Sequence, residues 1–488
     1  MKRETPFPLY VGLKLHAETR LRNVVVKFHT LGLCVSYNRI LDVRKKLALS
    51  VCQRYENDGV VIPSNMKLNV FTTADVDNHD VKKSCNLSRD EFHGTSITMT
   101  NHLSQENMGA ERPHITFDDD ININNHVKLP DHYAVVHPVD LNNDYVLTPV
   151  AEARPNQDQV HHAVEKDLSW LKHVSDVVAQ DELVNLPVSW SGYNSHIQDE
   201  RDIKPRAIIG ICPLFPDKAA TASMMKHTME IAMKGIEFIN PGQTPVLGAD
   251  QPLYAIAKQI QWSFPDAFGE DTFVLMMGGL HIEMALQGAM GKILAGSGWD
   301  KVLATSDVLT SGRASSALSD SHVKRTRYAH QVSLAALHLL KLEAYDNYIN
   351  EFGPSEPFDI WDARMSSNAA TYQYWDQVYA LELLACRFVR AQREGDFHLY
   401  IQVLDEMCKW FFVLDRTNYA RWLPIHIKDM VELPVKHPDV YEQFIKGNFV
   451  VQRSEAKYSL MAKDQSHEQS NKMLKSDGGP SGLFDNPE

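Results

Sequence analysis

Between Thr244 and Leu294 the chain reads TPVLGADQPLYAIAKQIQWSFPDAFGEDTFVLMMGGLHIEMALQGAMGKIL, alternating short apolar runs with longer amphipathic ones. The spacing predicts strand, helix, strand, helix, a pattern that requires parallel strands with helices packed over them. The first strand ends in Asp250 and the second in Gly278-Gly279, followed by His281. Open α/β sheets place their chemistry at the carboxyl ends of strands. Asp before Pro252 is equally suited to capping the following helix. His281 has the same two readings, as a structural histidine at a helix start or as a group that binds phosphate or orients an acid.

Upstream, Leu13, His16, Ala17, Leu21, Val24, Val25 and Phe28 recur at helical steps, predicting one amphipathic helix. A turn at Thr30-Leu31-Gly32-Leu33 leads to a second helix carrying Arg39, Arg44, Lys45, Lys46 and Arg54. That outline fits a DNA-binding helix-turn-helix as well as a plain helical hairpin with a basic face. Next, MKLNVFTTADVD (Met66 to Asp77) reads as a strand ending in acids, with FHGTSITMT (Phe92 to Thr100) as its hairpin partner. Asp75, Asp77 and Asp80 lie close enough in sequence to hold a hard cation or to form an acidic turn.

From Asn101 to Pro205 the pattern weakens to a polar excursion, with Asp118-Asp119-Asp120 in loop-like surroundings and a helix over Ala163 to Leu183. RAIIGICPL (Arg206 to Leu214) predicts an apolar strand, with a helix after it. Residues 297–452 show long helical periodicities, an all-α block able to hold its own core. Arg453 to Leu474 predicts a helix whose Asp464, Glu468 and Asn471 share one stripe. That stripe suits a solvated surface or a helix that presents acids to a metal. The tail, SDGGPSGLFDNPE, is flexible by composition.

The chain of 488 residues shows neither a basic-then-apolar leader nor an apolar run that could span a bilayer, predicting a nuclear or cytoplasmic protein without membrane contact. Its six cysteines have no paired spacing, against a zinc knuckle or disulfide framework. A net charge of −13 argues against a general nucleic-acid binder and leaves room for local basic clusters. Lys324, Arg325 and Arg327 form the cluster best suited to phosphate. Arg416 to Arg421, with Tyr419 and Trp422, is the second, and pairing of Arg416 with Asp415 or Asp429 is its plainer reading.

In order, these are a hairpin with Asp77, a third strand, a helix, a strand with Asp250, a helix, a fifth strand, an all-α block and an acidic helix with Glu468. That order resembles the RNase H-like fold of DDE transposases and retroviral integrases, specifically the hAT-related group with an all-α insertion before the last acid. The stretches DQPLYAIAKQIQW, GGLHIEM, TNYARWLPIHIKDM and DQSHEQSN resemble a group of uncharacterised, transposon-derived animal proteins.

The resemblance implies an α/β fold: a mixed RNase H-like sheet with helices on both faces, interrupted by a large all-α insertion, plus an N-terminal helical subdomain. The expected divisions are 1–64 for that subdomain and 65–296 for the core, with its excursion around 101–205. Residues 297–452 form the insertion, 453–475 the closing acidic helix and 476–488 the tail. The resemblance also implies a Mg²⁺ (or Mn²⁺) site on DNA, with Asp77 bridging two metals, Asp250 on one and Glu468 on the other, and His281 nearby. Asp75 and Asp80 compete with Asp77 for the first place, and Asp464 with Glu468. Two ions can serve both ends of an in-line phosphodiester displacement. No zinc-coordinating DNA-binding module precedes the core, which counts against autonomous transposition. The expectations that follow are a DDE-type polynucleotidyl transferase or nuclease, active or inactive, acting on DNA alone or as a homo-oligomer. The alternatives are a non-catalytic DNA- or protein-binding descendant of that fold, and an unrelated α/β hydrolase of a small phosphorylated substrate.

Overall fold

β1 (Thr72–Val81) and β2 (Phe92–Asn101) form the centre of the fold, a ten-residue antiparallel pair running from Thr72 opposite Asn101 to Val81 opposite Phe92. In the computed structural model, residues 5–81, 92–115, 127–141, 157–180, 188–197, 203–319, 322–354 and 356–476 are described. Three short strands extend the pair: β3 (Ile208–Ile211), β4 (Val246–Ala249) and β5 (Val274–Met277). The order is β3-β2-β1-β4-β5, with β3 antiparallel to β2, and β4 and β5 parallel to β1. The protein is thus mixed α/β, as the strand–helix alternation predicted. β4 and β5 are wholly buried, which explains their unbroken apolar runs.

The period-two alternation of β1 divides the sheet chemically. Ala74 and Val76 enter the apolar core, together with Ile97 and Met99 of β2. α7 (Ala222–Ile239) packs on that face through Met224, Met225, Met229, Ala232 and Ile236, all fully buried. Thr221 caps it, accepting from the Met224 N–H at 3.2 Å. α8 (Gln251–Ser263) and the short α9 (Pro265–Phe268) lie beside it. The other face of β1–β2 carries Asp75, Asp77, His79, Ser96 and Thr98.

That polar face is covered by α19 (Lys463–Ser476). Before it, the chain makes α10 (Gly279–Leu294), then α11 (Trp299–Thr305), α12 (Ser311–Ala317), α13 (Val323–Phe352), α14 (Phe358–Asn368), α15 (Ala370–Glu394), α16 (Phe397–Val413), α17 (Thr417–Lys436) and α18 (Pro438–Ile445). A two-stranded hairpin, β6 (Val451–Gln452) and β7 (Leu460–Met461), separates this helical run from α19. The helix expected from Arg453 therefore begins only at Lys463. Among the described residues, no helix is long and apolar enough to cross a membrane, and Cys34, Cys52, Cys212, Cys386 and Cys408 are free thiols.

The N-terminal segment differs from its expectation. It makes three helices, α1 (Pro6–Thr19), α2 (Arg22–Thr30) and α3 (Tyr37–Asp58), because Arg20 adopts a left-handed φ of 52° that ends the first. α3 starts after Ser36, whose side chain caps Arg39 N–H at 3.3 Å. The next two helices are α4 (Asp131–Ala134) and α5 (Gln157–Ala179), the latter fixed by buried Trp170, and α6 (Trp190–Ile197) follows. The acidic run Asp118 to Asp120 and the tail beyond 476 lie outside the described residues.

Candidate functional site

Three elements bring acids to the carboxyl-end edge of the β1–β4 pair. Asp77 lies inside β1, four residues short of the end of that strand, so the acid expected at a strand terminus is held within the ladder. Its Oδ1 accepts from the Asn78 N–H at 2.7 Å and its Oδ2 from Asn471 Nδ2 of α19 at 3.3 Å. Asp250 follows β4 and caps α8, accepting from the Leu253 N–H at 3.1 Å. Both readings of Asp250 therefore coexist, because one oxygen caps the helix while the carboxylate stands at the strand end. Glu468 projects from α19 and is exposed.

The charges of these groups act on one another. Burial first, then Glu468 and Asp250, push the Asp77 carboxyl up to about 7, with Asn78 and His281 opposing the rise. Burial likewise raises Asp250, against the Leu253 hydrogen bond and His281. Like charge thus accumulates around Asp77, and each acidic neighbour disfavours its ionised form.

His281 sits in the first turn of α10, where it links the cluster to a second acid. Its Nδ1 is 3.0 Å from Asp464 Oδ2. Burial disfavours the imidazolium, but Asp464, Asp250 and Asp77 more than offset it and raise the pKa to about 9. Asp464 is buried and also accepts from the Leu280 and His281 backbone N–H groups at 3.0 and 3.1 Å. It thus caps α10 from another helix, and the His281 side chain first, then these backbone bonds, hold its pKa below the usual value despite burial. Gly278, at the helix N-cap, has no space for a side chain, since a methyl there would meet the Asp464 carboxylate.

The competitors for the first acid separate clearly. Asp75 is buried beside Lys463 Nζ at 3.6 Å, and a methyl at Gly248 of β4 would collide with its carboxylate. Lys463 Nζ also donates to the Ala74 carbonyl of β1 at 3.5 Å, which ties α19 to the strand beneath the site, while burial raises the Asp75 pKa and lowers that of Lys463. Asp80 is exposed and pairs with His93 at 2.7 Å. Asp464 proves to be the anchor of the helix and leaves Glu468 free to face solvent.

α19 also binds the sheet through neutral polar groups. His467 lies between Ser96 Oγ (2.6 Å) and Thr98 Oγ1 (3.1 Å), and burial drops its pKa to about 3. Asn471 belongs to the polar stripe that the spacing shows, whereas Lys463 and His467 carry no such signal, because a polar helix looks solvated. The polar pattern of the opposing strand residues, Asp75, Asp77, Ser96 and Thr98, was the available signal.

The basic clusters fare differently from one another. Lys324 and Arg325 at the start of α13 are exposed, as a phosphate contact requires. Arg327 instead forms a bidentate pair with buried Glu283 of α10, fastening the helical block to the core. It is therefore a structural residue first. In the second cluster, Trp422 is buried and stacks on Trp262 with centroids 6.0 Å apart, and Tyr419 donates to the His281 carbonyl at 3.0 Å. Asp429 pairs with Lys258 at 3.0 Å.

A family described as a domain of unknown function (DUF8702) matches residues 189–352 and 356–485. The chain belongs to that family. No curated protein and no solved structure matches the chain. The stretch shared with the DUF8702 family includes Asp250, His281, Asp464 and Glu468, while Asp77 lies before it.

Proposed function

We propose that this member of the DUF8702 family is a transposase-derived, RNase H-like protein whose Asp77, Asp250 and Glu468 form a divalent-cation-dependent site for cutting or joining DNA strands. The observation that carries the reading is the Asp77 carboxyl, pushed to about 7 by burial and by the charges of Glu468 and Asp250. Three carboxylates from three separate elements thus share one electrostatic neighbourhood. The strand order β3-β2-β1-β4-β5, with its antiparallel half and parallel half, supports an RNase H-like fold, as does the helical run between β5 and the helix bearing Glu468.

The donor set fits Mg²⁺ or Mn²⁺ in chemistry and in charge. All three groups are hard oxygen donors, and His281 stands beside the excess negative charge as a counter-cation. When bound, divalent ions supply Lewis-acid stabilisation of the phosphoryl oxygens and of the leaving oxygen. The protein's own part is to hold Asp77 and Asp250 on rigid elements, with Asn471 fixing the Asp77 carboxylate. His281, protonated with its Nδ1–H donated to Asp464, has its Nε2–H left for a phosphate oxygen.

The experiment is nicking of supercoiled plasmid by the purified chain with Mg²⁺ or Mn²⁺. Wild-type protein is expected to nick, chelator to stop it, and Asp250→Asn to reduce it to background. Asn caps helices as well as Asp does, so this variant keeps the Leu253 hydrogen bond and removes only the charge. Unchanged nicking in Asp250→Asn would sink the proposal.

One observation favours the non-catalytic reading. Among the described residues, no group of three His, Cys, Asp or Glu side chains is placed to hold a metal ion. On that reading the chain binds DNA without cutting it, and Asp250→Asn binds as well as wild type.

A further inference from the structure

We infer that a groove beside α19 binds a single strand of nucleic acid through its phosphodiester backbone and its unpaired bases, an inference that rests on the DNA-directed reading of the acidic site. The groove has a volume of about 510 Å³ and runs between α6, α13, α15 and the β6–β7 hairpin. Gln465 and Gln469 of α19 form part of its floor, so the groove runs along the helix that also carries Asp464 and Glu468.

In a protein of net charge −13, the lining of this groove contains Lys324, Arg327, Arg393 and Arg453 and no carboxylate. Arg327 is neutralised by Glu283. Neither Lys324 nor Arg393 makes an ion pair among the described residues. Among the described residues Arg453 makes no ion pair, and its Nη1 donates to Ser466 Oγ at 3.5 Å. Burial and then the nearby Arg327 disfavour the charge on Arg393, Glu283 offsets them only in part, and a bound anion would favour it.

A second, independent feature points to a ligand. Gln392 is 4% exposed, lines the groove, and its Nε2 has no hydrogen-bond partner among the described residues. A buried amide donor without an acceptor is costly and calls for one from outside.

The walls also hold aromatic rings. Trp190 lies under the Arg393 guanidinium, 5.3 Å from the ring centroid, and Tyr328 is 45% exposed. Cations in a groove with aromatic faces suit a strand whose bases are unpaired, since a duplex keeps its base faces stacked internally. The acid site therefore receives one strand through this groove.

The test is fluorescence anisotropy of the full chain with a labelled oligothymidylate and with a duplex of equal length, in chelator so that cutting is absent. Wild type is expected to bind the single strand more tightly than the duplex. Lys324→Glu and Arg453→Gln should each weaken it severalfold and lower the salt-dependence slope by about 0.7 per lost contact. Tyr328→Ala should cost about tenfold. Lys324 and Tyr328 are exposed, so those variants keep the fold. Absence of single-strand binding, or binding unchanged in Lys324→Glu and Tyr328→Ala, overturns the groove and leaves the nicking result standing. Groove-dependent binding without any cation-dependent nicking upholds the groove and removes the catalytic reading.

Discussion

Asp464→Ala is expected to destabilise the protein by about 3–5 kcal/mol, the usual cost of removing one partner from a buried charge pair. The substitution strips α10 of its cap at Leu280 and His281 and leaves the His281 imidazolium without its acceptor. The sign of the pH dependence follows from the two shifts. His281 is raised from 6.5 to about 9, so its contribution is complete below pH 6.5 and lost as pH rises through 9. Asp464 is lowered from 3.8, so its contribution is present above that value and lost as pH falls through its lower native pKa. Wild-type stability should therefore decline between pH 6.5 and 9, by roughly 3 kcal/mol for the His281 shift taken alone. Urea denaturation across that range checks it: Asp464→Ala should show a much flatter profile, and NMR titration should place its His281 pKa back toward 6.5. A variant with the same slope as wild type would remove the pair from this role.

Lys258→Met should have an effect of similar size, about 3–5 kcal/mol, for a related reason. Lys258 sits in α8, two turns after Asp250, with a side chain fully removed from solvent. Its ammonium reaches Gln261 and Glu270 at 2.7 Å and Asp429 of α17 at 3.0 Å. The two carboxylates respond differently to one environment. Burial raises Glu270, but Lys258, Trp262 and Lys428 more than offset it and hold it well below the usual range. At Asp429 burial prevails over Lys258 and the pKa rises. Deleting the lysine leaves both acids buried with less compensation. The triple variant Lys258→Met, Glu270→Gln, Asp429→Asn should recover much of the loss, because it removes the unpaired charges together. Chemical denaturation of the single and triple variants decides the matter, and a single variant within about 1 kcal/mol of wild type would show that the network does not hold α8 in place.

Particular residues show what could be read in the sequence and what could not. The apolar runs at Val246–Ala249 and Val274–Met277 lie on buried strands, and the hairpin of β1 and β2 was visible from β-branched composition. Asp250 could be placed because strand, acid and helix are contiguous. Less visible was the break at Arg20, where a non-glycine residue takes a left-handed conformation that no local pattern announces. The start of α19 was displaced for another reason: the polar stretch 453–459 is the loop of the β6–β7 hairpin, and period alone does not separate it from the helix that follows. The largest gap concerns α19 itself. Its Asp464, His467 and Asn471 are polar and buried at once, and only the matching polar face of β1 and β2 makes that arrangement tolerable. Long-range complementarity of this kind has no signature in a single helix. Arg327 illustrates the same limit, since its partner Glu283 lies 44 residues away in the chain.

Titration calorimetry with Mg²⁺ and Mn²⁺ near pH 7, in buffers of different ionisation enthalpy, tests the acid cluster most directly. Asp77 titrates at about 7, so cation binding should release a fraction of a proton, and the apparent heat should differ between buffers accordingly. Binding with proton release in wild type, lost in Asp77→Asn and in Asp250→Asn, is the predicted result. Absence of cation binding in wild type, or identical binding in Asp77→Asn, would contradict the assignment of Asp77, Asp250 and Glu468 as a divalent-cation site.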